Sequence, residues 1–178
     1  MMSRGRSPAA ADSWLEMKDY STERILRGIA LLCLAAVGIA LVSQHVFDMQ
    51  PCAWCVLQRL ILLAIAAICG LATAGWRSAR IHALGAALAA ILAACGMLAA
   101  WYQYTVAARL FSCDQTFADK FIAGSGLDAA LPWLFGIYAS CMDARVSLLG
   151  IEYSLWGLGL FAACLLLAAW ALLRARRG

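Results

Sequence analysis

Four long apolar runs separated by shorter polar segments dominate this chain. They lie near Ile25 to Ser43, Cys55 to Ala74, Ala83 to Trp101 and Ser154 to Leu173. Each approaches the roughly 20 helical residues needed to cross a hydrocarbon core. The pattern predicts an all-α membrane protein, a four-helix transmembrane bundle whose helices satisfy their own backbone groups in lipid. The first run follows a polar leader, exceeds an ordinary signal-peptide core and ends in Ser43-Gln44-His45 rather than a small-x-small site, so it is expected to stay in the mature protein.

Composition agrees with this pattern. Of 178 residues, 65% are hydrophobic and only 13% charged, against about 25% charged in a soluble domain. The whole chain, 1–178, is expected to form one integral membrane domain, too small for a bundle plus a separate soluble domain. A net charge of +4 would suggest nucleic acid in a soluble protein. Here the basic residues flank apolar runs, where they anchor helices and set topology, so nucleic acid is excluded as a partner and the lipid bilayer takes its place. Both termini share a side with the short loop after the second run, and that side carries ten of the 14 Lys and Arg residues. The positive-inside rule then predicts cytoplasmic termini. The loops of about Gln44 to Trp54 and Tyr102 to Tyr153 face outside, which is the periplasm if the membrane is a bacterial inner membrane.

The second outer loop is longer than ordinary connections, and loops of such length usually carry function. Its stretch Leu127 to Tyr138 is too short to span and rich in aromatics, which predicts a short helix lying on the bilayer surface.

Topology sorts the eight cysteines. Cys33, Cys69, Cys95 and Cys164 lie inside apolar runs and read as small, inert packing residues. Cys52, Cys55, Cys113 and Cys141 lie in or beside the outer loops, on the oxidising side. The pair Cys52-Ala53-Trp54-Cys55 closes a very small ring, which adds little stability but favours rapid thiol exchange. Cys55 opens a helix, where free amides and the helix dipole favour a thiolate. Arg59 follows one helical turn later, placed to stabilise that thiolate and any anion developing on a bound electron acceptor. A headgroup-seeking anchor is the competing role for this arginine. Cys113 and Cys141 either staple the long loop or exchange with the first pair. Four outer thiols also match, less well, a zinc site lacking a second tight pair.

These stretches resemble the DsbB family of quinone-dependent disulfide-bond formation proteins. The matching residues are Gln44-His45-Val46, Pro51-Cys52-Ala53-Trp54-Cys55-Val56-Leu57-Gln58-Arg59, Cys113-Asp114, Cys141, Leu149-Gly150-Ile151-Glu152 and Trp156-Gly157. The resemblance implies catalytic disulfides Cys52–Cys55 and Cys113–Cys141, with Arg59 and Cys55 beside the cofactor, ubiquinone or menaquinone. It also implies a periplasmic DsbA-type thioredoxin-fold partner and the membrane quinone pool as electron sink. The partner's dithiol would attack at Cys113, Cys141 would then attack Cys52, and Cys55 would deliver the electrons to quinone. Two departures stand out: Gln58 replaces an acidic residue found in some members, and the region Tyr102-Gln103-Tyr104 lacks a histidine found near the quinone in others. A vitamin-K-epoxide-reductase-like enzyme is the other quinone-linked reading. That family usually places its Cys-x-x-Cys late in the chain, whereas here the pair opens the second helix.

Overall fold

The computed structural model describes residues 8–74, 78–107, 115–144 and 146–176. Four long helices form the body: α1 (Pro8–Val46), α2 (Ala53–Thr73), α3 (Ala79–Thr105) and α7 (Tyr153–Arg176). The connection between α3 and α7 carries α4 (Phe117–Ser125), α5 (Leu127–Ala130), α6 (Pro132–Phe135) and a hairpin of β1 (Ser147–Leu148) and β2 (Ile151–Glu152). The stretches Ser21–Val46, Ala53–Thr73, Ala79–Thr105 and Tyr153–Ala175 are long and apolar enough to span a bilayer, with mean hydropathies of 2.5, 2.2, 2.2 and 2.1. The chain is a multi-pass membrane protein with the expected bundle, and every span runs a few residues past at least one of its expected ends.

Packing follows the logic of lipid rather than water. The helices pack in a ring, α1 on α2, α2 on α3, α3 on α7 and α7 on α1. Many of the residues turned inward are small, including Ala86, Ala89, Ala93, Ala100, Ala168 and Ala171. Large apolar residues such as Leu31, Ile39, Leu71, Ile91, Leu98 and Leu166 point outward. Lipid is as apolar as leucine, so helices associate through close van der Waals approach of small residues. Gly96 shows the limit: a Cβ there would stand 2.3 Å from the Phe161 ring. Toward one end, Arg174 donates to Ser21 Oγ at 2.6 Å and lies over the Trp170 ring, and Arg27 pairs with Glu23.

The other end holds a second core, where Cys52, Trp54, Val56 and Leu57 pack with Ala118, Ile122 and Phe135 from the long connection. The expected single helix over Leu127 to Tyr138 is replaced by the two turns α5 and α6 and a non-helical tail. Leu131 between them has φ −135° and ψ 66°, because the ring of Pro132 disfavours helical geometry in the residue before it. The longer helix of this connection comes earlier. α4 is started by Thr116, whose backbone N–H donates to Asp119 Oδ2 at 2.8 Å while its hydroxyl receives the Asp119 N–H. This is a capping box with Asp in the acidic position.

Candidate functional site

Helix α2 begins at Ala53, two residues ahead of the expected start, so Cys52 is its N-cap and Cys55 lies in its first turn. Pro51 precedes the cap with no N–H to leave unpaired. The two sulfurs lie 3.2 Å apart as free thiols. Cys52 is fully buried and Cys55 half-buried.

Cys141 reaches this pair from nearly ninety residues further along the chain. The backbone N–H groups of Tyr138 and Ala139 both donate to the Pro51 carbonyl, at 3.1 and 3.3 Å, tying the two loops together. A turn follows in which Ser140 Oγ donates to Asp143 Oδ2 at 2.6 Å, and it presents Cys141 to the cluster around Cys52. The facing thiols polarise one another. Cys52 is pushed well above an ordinary thiol pKa, first by the Cys141 thiol, then by Cys55 and by burial. Cys141 is pulled below the ordinary value, chiefly by Cys52, with burial opposing. With both thiols reduced, Cys141 is therefore the more readily ionised of the two and Cys52 the sulfur it faces. Cys113 lies outside the described residues.

Arg59 does not reach for the surface. It is 6% exposed, and its guanidinium donates to Gln44 Oε1 at 2.6 Å, to the Leu134 carbonyl at 3.2 Å and to the Ala40 carbonyl at 3.4 Å. A buried charge at membrane depth is retained only with such partners. The Leu134 contact also explains α6: its single turn docks over Arg59, held on the other side by His45, whose Nε2 lies 3.0 Å from the Trp133 carbonyl.

A cavity of about 310 Å³ opens between α1, α2, α3 and α7, within the size range of small-molecule sites. Cys55, Arg59, Gln58, Gln103 and Tyr153 supply its polar lining, while Ile39, Leu62, Leu160 and Phe161 supply apolar walls. Apolar walls with donors gathered near one thiol suit a flat, apolar ring bearing carbonyl oxygens. Four of the polar participants here were not singled out as site residues by the sequence: Gln44, Gln58, Gln103 and Tyr153. The signal available for Gln44 and Gln103 was a carboxamide inside or at the edge of an apolar run, which costs energy there unless it has a partner.

The four helix cysteines fall elsewhere. Cys33, Cys69 and Cys164 are buried in the bundle core and Cys95 is exposed. Cys33 and Cys164 stand 3.8 Å apart, sulfur to sulfur, bridging α1 and α7.

Residues 22–171 match the family described as Disulfide bond formation protein DsbB. Disulfide bond formation protein B of Verminephrobacter eiseniae is 32% identical over 166 residues, covering 90% of this chain and 91% of that protein. The protein of the same name from Herminiimonas arsenicoxydans is 33% identical over 135 residues, covering 75% and 84%. Disulfide bond formation protein B 1 of Pseudomonas syringae pv. syringae is 30% identical over 159 residues, covering 87% and 92%. The tethered thiols, the buried arginine and these relatives lead to one conclusion: the chain belongs to the DsbB family, the membrane proteins of disulfide bond formation.

Proposed function

We propose that this protein reoxidises a periplasmic DsbA-type dithiol oxidase and passes the electrons to a membrane quinone, from a bacterial inner membrane with both termini cytoplasmic. The observation that carries the reading is the convergence at α2: Cys141 faces Cys52 on one side, and Cys55 lines a cavity with Arg59 on the other. Thiols so arranged have an entry side and an exit side.

In this reading the working disulfides are Cys52–Cys55 and Cys113–Cys141. A partner thiolate attacks Cys113, forming a mixed disulfide and freeing Cys141. Cys141 then attacks Cys52, breaking the Cys52–Cys55 bond and releasing Cys55 as a thiolate. The partner's second thiol resolves the mixed disulfide, so the partner leaves oxidised and Cys113 is freed; Cys113 then attacks Cys141, re-forming Cys113–Cys141 and releasing Cys52, which leaves the two electrons on the Cys52 and Cys55 dithiol. Arg59 balances negative charge beside Cys55, and the walls of the cavity keep water from it. Arg59, Tyr153 and the apolar walls would hold ubiquinone or menaquinone, which when bound would supply an acceptor for two electrons and two protons.

Cysteine replacement tests this relay. Alanine at any of Cys52, Cys55, Cys113 or Cys141 is expected to abolish quinone-linked oxidation of the partner. Alanine at Cys33, Cys69, Cys95 or Cys164 is expected to leave it largely intact. A folded helix-cysteine variant that stops electron transfer would contradict the assignment.

A further inference from the structure

Two carboxamides connect the sulfur pair to the far side of the bundle. Gln103 Nε2 lies 3.2 Å from Cys55 Sγ and 3.6 Å from Cys52 Sγ, so one amide group addresses both sulfurs. Its orientation is set from behind, because Gln58 Nε2 donates to Gln103 Oε1 at 2.6 Å. A carboxamide with its oxygen held as acceptor must turn its N–H groups the other way, here onto the thiols. Gln58 in turn lies against α7. A Cβ at Gly157 would stand 2.7 Å from Gln58 Oε1, so glycine alone leaves room for this side chain between α2 and α7. Gln58 and Gln103 are both buried, where unpaired amides are costly and paired ones hold a single arrangement.

We infer that Gln103 is a catalytic residue that tunes the oxidising power of the Cys52–Cys55 pair, and that Gln58 is the positioning residue that aims it. N–H donors stabilise sulfur bearing negative charge more than sulfur in a disulfide. Only the reduced pair carries such charge, so the amide favours the reduced form and makes the disulfide a stronger oxidant. The arrangement does this with groups that never titrate. The inference rests on Cys52 and Cys55 being a redox pair, as the proposed function holds.

The test titrates the full-length protein in detergent against dithiothreitol redox buffers, without quinone or partner. The oxidation state of the peptide containing Cys52 and Cys55 is read by differential alkylation and mass spectrometry. Gln103→Met, which keeps length and loses the donors, is expected to lower the reduced-to-oxidised ratio about tenfold at a given buffer potential, a fall of about 30 mV for a two-electron couple. Gln58→Met leaves Gln103 in place, is read independently of it, and is expected to shift the ratio in the same direction by a smaller factor. The double variant is expected to match Gln103→Met alone, because both act through one contact. An unshifted ratio in either single variant, or a double variant equal to the sum of the singles, overturns the inference and leaves the proposed function standing. A wild-type protein whose Cys52 and Cys55 never form a disulfide in these buffers overturns both.

Discussion

Arg59 is a full charge held one helical turn past Cys55 in α2 by three oxygen acceptors, two of them backbone carbonyls. Those bonds fix its position and leave its charge available to the cavity it lines with Cys55. Arg59→Met removes the charge and keeps comparable length. It is expected to raise the apparent quinone KM about tenfold or more, the loss of a charge-assisted hydrogen bond, while the rate of thiol exchange with the partner protein stays unchanged. An unchanged KM would reduce Arg59 to a structural tie between α1, α2 and α6. The two thiols at the other face make a second prediction at this scale. Cys141 is pulled below the ordinary thiol value and Cys52 pushed above it. In the reduced protein, alkylation of Cys141 should therefore set in at lower pH than that of a free cysteine, whose pKa is about 8.5, and Cys52 should resist to well above it. A Cys141 profile identical to that of the denatured chain would contradict the polarised pair. The cysteines and the arginine were legible in the sequence because each is chemically unusual where it stands. Gln103 was harder to read, since its role depends on meeting Gln58 and two sulfurs from another helix.

Helix by helix, close approach decides which substitutions matter. A Cβ at Gly96 would collide with the Phe161 ring at 2.3 Å, and one at Gly85 with Ala72 Cβ at 2.7 Å. Phe161 lines the cavity and Ala72 does not. Gly96→Ala and Gly85→Ala are both expected to lower stability by about 1–3 kcal/mol through overpacking, measured by thermal unfolding in detergent. Gly96→Ala alone should also raise the quinone KM, because the displaced ring encroaches on the cavity. Equal KM values in the two variants would separate the cavity from this helix contact. The long spans were readable from hydropathy because lipid imposes one simple rule on them. The connection between α3 and α7 obeys local rules that compete: Pro132 splits Leu127 to Tyr138 into single turns, while Thr116 and Asp119 start α4. The capping pair was present in the sequence, but a nine-residue helix gives too short a pattern to stand out.

For the whole molecule, the proposed function makes the bundle a partition between two electron-transfer events. The loop tie from Pro51 to Tyr138 and Ala139 brings the second loop onto α2, and the cavity opens beside Cys55 in the first turn of that helix. Neither closure is visible in sequence, since both join segments far apart in the chain, though the cysteines and the arginine they gather, Cys52, Cys55, Arg59 and Cys141, had been singled out. In the proposed orientation a periplasm-active reporter fused after Gly178 is silent, and an active one would invert the account of which side meets the partner. The most direct measurement is anaerobic turnover of the purified protein with excess quinone and a reduced DsbA-type donor, counting quinol formed and donor disulfide formed together. The account predicts one quinol per donor disulfide, with no quinol when Cys52 or Cys55 is replaced by alanine. Donor oxidation without quinol, or quinol formation that survives loss of Cys55, would contradict it.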